Sequence, residues 1–320
     1  MLHFCTYFDH NYLVKGLTLY KSLLSCCAPF KLHILTLSRE CHETLLSLDL
    51  ENVNLYQLED LEIFDPLLRN CKGTRSLVEY YFTLSPCLPR YLFAVNGDVD
   101  FLTYVDADCM FFSDPTNVIR ELQDHSVGLV EHRFCERLRE FEICGKFNVG
   151  WLTYHRCEET TKILNWWREC CLEWCYDRVE PDRFADQKYL DRFPELFDNI
   201  CVIPHKGVNV APWNVENHSI RIEKCGVFVE ESPLVMYHFH GCKSLFPKVW
   251  QLGLSDYGVF ALAEYRELYN MYINQLLLTH NSLGCSFKEK NCRGSFFSED
   301  MLKKIRRIQK LFKFNDFMIV

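Results

Sequence analysis

The sequence predicts an α/β fold with a mostly parallel central sheet, and three observations carry that expectation. Short runs of apolar, β-branched and aromatic residues alternate with segments of helical periodicity in the amino-terminal part of the chain, the order that lays helices over a parallel sheet. One run, Phe101-Leu102-Thr103-Tyr104-Val105, ends in Asp106-Ala107-Asp108. Two carboxylates therefore stand at the end of a buried strand, where open α/β sheets keep their ligand crevice. At 320 residues the chain is long enough to bury a sizeable core.

Composition narrows the class. A hydrophobic content of 48% with 24% charged residues is ordinary for a globular enzyme, although 15% aromatic is rich. The net charge of −8 argues against nucleic acid as a partner. The 18 cysteines are scattered, often on apolar stretches, and none form C-x-x-C; Cys170, Cys171 and Cys175 are too close on one helix for a zinc site with the others. They are expected as small core hydrophobes. The amino terminus lacks a basic segment followed by an apolar signal core, so the expected compartment is the reducing cytoplasm. No run is long and charge-free enough to span a bilayer.

In chain order, residues 2–8 read as the first buried strand, and the polar groups at its end, Thr6, Tyr7 and then Asp9, face the crevice. Asn11-Tyr12 opens an amphipathic helix in which Leu13, Leu17, Tyr20 and Leu24 recur at helical spacing. Asp9 either caps that helix or accepts hydrogen bonds from a ribose or base, and the two roles are compatible. Residues 31–37 and 53–58 read as strands and 40–48 as a helix. A further helix over 76–83 follows Arg75; the helix macrodipole disfavours a cation there, so Arg75 is expected to bind an anion.

Burying Asp106 and Asp108 in an apolar run costs several kcal/mol unless something positive pairs with them, and no Lys or Arg lies between 101 and 117. A divalent cation is the expected partner, against the plainer reading that both carboxylates cap a turn. Beyond them, 127–131 and 146–154 read as strands. Asn148 and Gly150 interrupt the second, which marks a bulge or the close approach of a ligand. Residues 158–176 form a Trp-rich helix, and Asp186-Gln187 opens a short one, as a cap or as functional groups. The irregular loop 205–214 is dense in polar and aromatic groups; its Trp213 either stacks on a sugar face or anchors the loop. On a strand over 234–240, His238 and His240 share a side by period-two alternation and lead into Gly241-Cys242-Lys243, a credible cation or phosphate site. An imidazole beside two carboxylates favours manganese over magnesium.

In this order the motifs resemble the GT-A glycosyltransferases of the glycogenin and lipopolysaccharide galactosyltransferase type, over about 240 residues. That class is retaining, metal-dependent and uses nucleotide sugars. Asp9-His10-Asn11-Tyr12 resembles its nucleoside-binding turn, Arg75 its basic residue at the donor phosphate or sugar, and Asp106-Ala107-Asp108 its D-x-D motif. Phe147-Asn148-Val149-Gly150 resembles the F-N-x-G segment along the donor sugar, and Asp186-Gln187 the neighbouring D-Q pair. His238-Phe239-His240-Gly241-Cys242-Lys243 is similar to the H-x-x-G-x-x-K element, with one departure: Lys243 follows Gly241 after one residue rather than two, and the usual Pro-Trp is missing. Gly241 lies three positions after His238, which makes His238 the implied metal ligand and His240 its fallback. The 205–214 loop is not a glycogenin feature.

The resemblance implies a single GT-A, Rossmann-like nucleotide-sugar-binding domain over 1–256 and a helical C-terminal appendage over 257–320 with a basic amphipathic tail. It implies Mn2+ or Mg2+ on Asp106, Asp108 and His238; a nucleoside-diphosphate sugar held by Thr6, Tyr7, Asp9, Asn11, Arg75, Asp106, Ala107, Asp108, Asn148, Gly150, Gly241 and Lys243; and Asp186 with Gln187 at the reacting carbon. The implied reaction is sugar transfer from a UDP-sugar to a glycan or a lipid-linked or lipopolysaccharide acceptor. A metal-dependent nucleotidyltransferase or phosphohydrolase is the alternative, but such enzymes need more acidic ligands; a non-catalytic sugar-nucleotide binder sits poorly with intact D-x-D and D-Q pairs. Over 301–314, Met301, Ile305, Ile308 and Phe312 recur at helical spacing among Lys303, Lys304, Arg306, Arg307, Lys310 and Lys313. That pattern predicts peripheral contact with the inner face of the cytoplasmic membrane, or packing on the domain through the same apolar stripe.

Overall fold

A computed structural model describes residues 1–27, 29–246, 248–284 and 301–320. Its centre is a seven-stranded sheet built from β1 (Leu2–Phe8), β2 (Phe30–Thr36), β3 (Val53–Gln57), β4 (Phe101–Val105), β6 (Val127–Glu131), β7 (Phe147–His155) and β8 (Ile200–Val202), in the order β3-β2-β1-β4-β7-β6-β8. β7 alone runs against its neighbours, so the sheet is mostly parallel as expected. The helices α2 (Arg39–Leu48), α7 (Thr116–Arg120) and α9 (Phe193–Leu196) and a small antiparallel sheet of β9 (Ile220–Glu223), β10 (Gly226–Val229) and β11 (Ser232–Pro233) complete the order up to β12 (Met236–His238). β5 (Cys109–Phe111) lies outside the main sheet and pairs with β12.

Period-two alternation divides the sheet between two cores. Cys5, Leu35, Leu102 and Tyr104 face one side with Leu88, Leu92 and Trp167. These last come from α6 (Cys87–Val95) and from α8 (Glu158–Glu173). Phe4, Ile34 and Val105 face the other side with Leu13, Leu17 and Leu23 of α1 (Leu13–Cys26). Between β3 and β4 the chain adds α3 (Leu58–Phe64), α4 (Pro66–Cys71) and α5 (Leu77–Thr83), of which only the last is legible as periodicity. α3 and α5 open with reciprocal side-chain caps, Gln57 with Asp60 and Ser76 with Glu79, and α4 opens on Asp65 with Pro66 in its first turn. Asp65 is buried and bonded by both Arg168 of α8 and Arg90 of α6, which locks this crossover to the sheet's helical cover.

Described parts of the C-terminal region pack on this body. The helix α10 (Ala263–Ser282) packs against α1, where Thr18 donates to Thr279 at 3.3 Å, and its Tyr272 stacks on Phe239 at 3.8 Å just behind β12. The final strand, Phe317–Ile319, pairs with β14 (Val249–Gln251), itself paired with β13 (Lys243–Phe246). Asp316 fastens this corner: fully buried, it accepts from the Leu254 N–H at 2.8 Å and the Ser255 hydroxyl at 2.6 Å. The basic tail forms a helix over Met301–Lys313. Side chains 301–305 and 307, which carry much of the expected stripe, lie outside the described residues. Of the rest, Leu311 is buried, while Ile308 and Phe312 are exposed. No helix among the described residues is long and apolar enough to cross a membrane.

Candidate active site

The chain runs outward from β1 to β2 to β3 and then returns to β4 on the other side of β1. That reversal is a topological switch point, and the crevice beyond the carboxyl ends of β1 and β4 is where such sheets bind ligands. Asp106 follows the last residue of β4 there, and a turn closed by the Cys109 N–H on the Asp106 carbonyl at 3.1 Å carries the chain through Asp108 into β5. β12 pairs with β5 in a register that sets His238 opposite Cys109. The imidazole thus reaches both carboxylates: His238 Nε2 lies 3.1 Å from Asp108 Oδ1 and 3.7 Å from Asp106 Oδ2. Tyr104 donates to the other Asp106 oxygen at 2.7 Å, and Lys15 Nζ stands 3.6 Å from Asp108 Oδ2.

The electrostatics split the pair of acids. Burial, with the Asp108 charge added, raises the Asp106 carboxyl above its ordinary range. Burial alone would do the same to Asp108, but Lys15 and then His238 outweigh it and hold that carboxyl well below the usual range. His238 moves up, because the two carboxylates prevail over its own burial. Oxygen and imidazole donors therefore converge, with an acid that lacks a full counter-charge among them. The donor atoms of Asp108, Cys109 and His238 lie within 4.8 Å of one another, and His238 Nδ1 is buried with no hydrogen-bond partner. Burial raises the Cys109 thiol strongly, so the oxygen donors dominate the set, and the residues fit a hard divalent cation.

Two cavities meet at this cluster, with His240 lining both. The larger, about 580 Å³, is lined by Tyr7, Asp106, His132, Asn148, Asp186, Gln187, Trp213, His238 and Tyr257 among others. Asp186 is buried; Ser85 donates to it at 2.5 Å and also bonds Tyr7 at 3.0 Å, and burial raises its carboxyl to about 7. Asn148 donates to Gln187 at 3.2 Å and sits 3.1 Å from His132, whose imidazole burial lowers to about 3 and so keeps neutral and able to accept. The pairing of β6 with β7 shifts register beside Asn148, as a bulge requires, and the Asn148 carboxamide oxygen accepts the Gly150 N–H at 2.9 Å. A Cβ on Gly150 would stand 2.8 Å from His238 Nδ1. The same Cβ would stand 2.5 Å from Asn148 Oδ1, so the close approach that this glycine permits is to both Asn148 and His238. Trp213 meets the His238 and His240 rings edge-on at 5.2 and 5.8 Å, and forms a wall of the cavity as well as anchoring its loop.

The smaller cavity, about 240 Å³, is lined by Asn11, Tyr12, Lys15, Asp108, Gly241 and Lys243 among others. Gly241 takes φ +77°, a left-handed conformation that turns the chain from β12 toward Lys243 with little strain only in glycine. Asp9 does not cap α1, whose N-cap is Tyr12 with no side-chain cap; instead it accepts from the Asn11 backbone N–H and side chain, both at 2.9 Å, and closes a local turn. Thr6 is buried with its hydroxyl unpartnered, and Ala107 is buried in the turn between the two acids.

Arg75 is placed elsewhere. Its guanidinium bonds Thr83 and, at 2.8 Å, the Leu172 carbonyl near the carboxyl end of α8, and it lines neither cavity. The helix that follows Arg75 disfavours a cation at its start, but the long side chain reaches the negative end of another helix, α8. Lys15, by contrast, is a cation in the first turn of α1, where the macrodipole disfavours it, and its partner is the Asp108 carboxylate. Ser85, His132 and Tyr257 carried no motif; only the packing of distant elements brings them to the cavity.

No family model matches the chain. The uncharacterized proteins YfnD and YfnF of Bacillus subtilis strain 168 are each 31% identical to it, over 242 residues (75% of this chain, 77% of YfnD) and 248 residues (74% and 80%) respectively. Among solved structures, the galactosyltransferase LgtC in complex with donor and acceptor sugar analogs superposes with a TM-score of 0.52 at 17% identity, covering 75% of this chain and 87% of that one. The chain belongs to the family of YfnD and YfnF, and its α/β body has the GT-A glycosyltransferase fold.

Proposed function

We propose that the chain is a metal-dependent hexosyltransferase that moves a sugar from a nucleoside-diphosphate donor, a UDP-sugar, to a glycan or lipid-linked acceptor such as a lipopolysaccharide, with retention of configuration. The observation that carries this reading is the convergence of Asp106, Asp108 and His238 at the sheet's switch point, with Asp186, Gln187 and Asn148 in the adjoining cavity wall. Asp106, Asp108 and His238 would hold Mn2+, or Mg2+; when bound, the ion supplies positive charge to the leaving diphosphate. Lys15 and Lys243 add cationic charge from the smaller cavity, so the diphosphate belongs on that side, beside Asn11 and Gly241. Asn148 and Gln187, each held by a partner, offer fixed polar groups to the sugar in the larger cavity.

With its carboxyl raised to about 7 and one oxygen engaged by Ser85, Asp186 is an oriented, partly protonated group rather than a free nucleophile. This favours a front-face course in which the acceptor hydroxyl enters on the side the diphosphate leaves, and Asp186 steadies charge at the reacting carbon. The acceptor is brought from the cytoplasmic face of a membrane. Exposed Ile308 and Phe312, with Arg306, Lys310 and Lys313, would rest on an anionic bilayer and leave Leu311 to dock on the domain.

The test is a panel of nucleotide sugars assayed for turnover with and without Mn2+, and with and without a lipid-linked or glycan acceptor. Manganese-dependent release of nucleoside diphosphate, accelerated by acceptor, is expected. Release of nucleoside monophosphate and sugar phosphate instead would place the chain among phosphohydrolases.

A further inference from the structure

Asp186 is held from three sides, and its carboxylate is gripped by a residue that lines neither cavity. Trp167 of α8 donates its indole N–H to the Asp186 carbonyl at 2.9 Å. The preceding residue, the buried Ala185, takes φ +46°, a left-handed conformation that a residue with a Cβ adopts only where its surroundings impose it. Ser85, buried in the turn between α5 and α6, donates to Asp186 Oδ2 at 2.5 Å. A serine hydroxyl has one proton, and here it goes to Asp186. In the 3.0 Å contact between Ser85 and the Tyr7 hydroxyl, Tyr7 is therefore the donor. Beside Tyr7, with ring centroids 5.5 Å apart, Tyr104 donates to Asp106.

A hydroxyl donated to a carboxylate fixes its orientation and favours its charged form, and a hydroxyl that itself accepts a hydrogen bond donates more strongly. Asp316 gives both oxygens to such donors, whereas the Ser85 bond takes Oδ2 of an acid that lines the larger cavity. Resting on the glycosyltransferase reading above, we infer that Ser85, aligned by Tyr7, is a positioning residue for the reaction, holding Asp186 toward the reacting carbon in its charged form. The titratable groups facing Asp186 are Tyr7 of β1, Asp106 beyond β4, Tyr154 of β7 and Cys171 of α8. Burial keeps the two phenols and the thiol protonated, which leaves Asp106 as the group whose charge acts on Asp186. His238 and the neutral His132 line the same cavity beyond them.

Two readouts on the full chain test this. The first is kcat and KM between roughly pH 5 and 9 in Mn2+, with whichever donor of the nucleotide-sugar panel turns over fastest. The charged form steadies developing positive charge, so kcat is expected to rise through the Asp186 pKa of about 7. Ser85→Ala should move that rise upward by about one pH unit and lower kcat near neutrality roughly fivefold, with KM for the donor little changed. Tyr7→Phe should move it the same way by less, and Ser85→Thr, which keeps the hydroxyl, should restore it. A role in packing alone lowers kcat at every pH and leaves the rise in place. The second readout needs no turnover. Asp186 is raised above its unfolded value, so the stability it contributes is present below about pH 4 and is lost as pH rises through 7. In denaturant unfolding, Ser85→Ala should carry that loss upward by the same unit and should shift nothing in an Asp186→Asn background. Tyr7→Phe, which keeps the ring, carries both readouts if Ser85→Ala fails to fold. Profiles that stay in place overturn the inference. If the unfolding profile shifts but no donor is turned over, the glycosyltransferase reading falls and the role in the reaction with it. If a donor is turned over and kcat keeps its pH dependence in the variants, only the inference falls.

Discussion

Two corners of the molecule bury a carboxylate beside a short strand, at Asp108 before β5 and at Asp316 before the final strand, and they treat the charge in opposite ways. Asp108 faces a lysine and an imidazole, and these partners hold it ionised far below the ordinary carboxylate range. Asp316 has neutral partners, the Leu254 N–H and the Ser255 hydroxyl, and burial pushes it up to about 6 despite them. Both are buried, so burial alone does not mark a functional acid. The distinguishing feature is the kind of partner: a carboxylate kept charged at the edge of a cavity is available to a cationic ligand, whereas one whose lone pairs are taken up by backbone and hydroxyl donors is a fastener.

That contrast is broken most directly at Asp108. Asp108→Asn should lower metal-dependent turnover by roughly 1,000-fold or more while the protein still unfolds cooperatively within a few degrees of wild type. Near-normal turnover in this variant would remove the metal assignment. His238→Ala should cost on the order of 100-fold and His240→Ala no more than several-fold, since only His238 lies within 3.1 Å of Asp108. Equal, small losses in the two would make this strand structural.

Asp316→Ala should do the reverse. Leaving the Leu254 N–H and Ser255 hydroxyl without their acceptor is expected to cost about 2–4 kcal/mol in denaturant unfolding, with turnover per folded molecule near wild type. Lys15→Met should weaken UDP binding by roughly tenfold, measured by titration in Mn2+, because it removes one of two lysines from the smaller cavity. Unchanged affinity would reduce Lys15 to a counter-ion for Asp108.

The smallest effect is a pH slope. Asp316 has a folded pKa of about 6, raised above its unfolded value, so it binds more protons folded than unfolded between roughly pH 4 and 6. Its contribution is fully present below about pH 4 and is lost as pH rises through 6, on the order of 1–2 kcal/mol after allowance for solvent. Asp316→Asn should flatten that part of the stability profile; an unaltered slope would assign it to other groups.

The β1, β2, β3 and β4 runs were legible because apolar alternation is a local property, and each strand lies within a residue or two of its expected place. The helices 58–64 and 66–71 were not, because both are short and owe their position to caps and to Asp65, and 87–95 was not, because it opens on Pro86 and Pro89 without a side-chain cap and is tied in through Arg90 and Asp65. The strand expected over 234–240 shrank to Met236–His238, since Gly241 turns the chain and Phe239 is drawn onto Tyr272 of α10.

For the site, residue type and spacing by themselves determined that Asp106, Asp108, Asn148, Asp186, Gln187 and His238 are polar groups set into apolar or turn-forming segments, and that is information carried in a few consecutive residues. Which of these face one another was decided only by the fold. Asp108 and His238 are 130 positions apart in sequence and meet because β5 pairs with β12. Lys15 comes to Asp108 and Arg75 is drawn to α8 because a long charged side chain goes to whichever partner packing brings within reach, and no local pattern encodes that partner. The charge of each cavity is likewise a sum over elements from distant parts of the chain, so the separation of a cationic chamber from an acidic, aromatic one belongs to the tertiary structure alone.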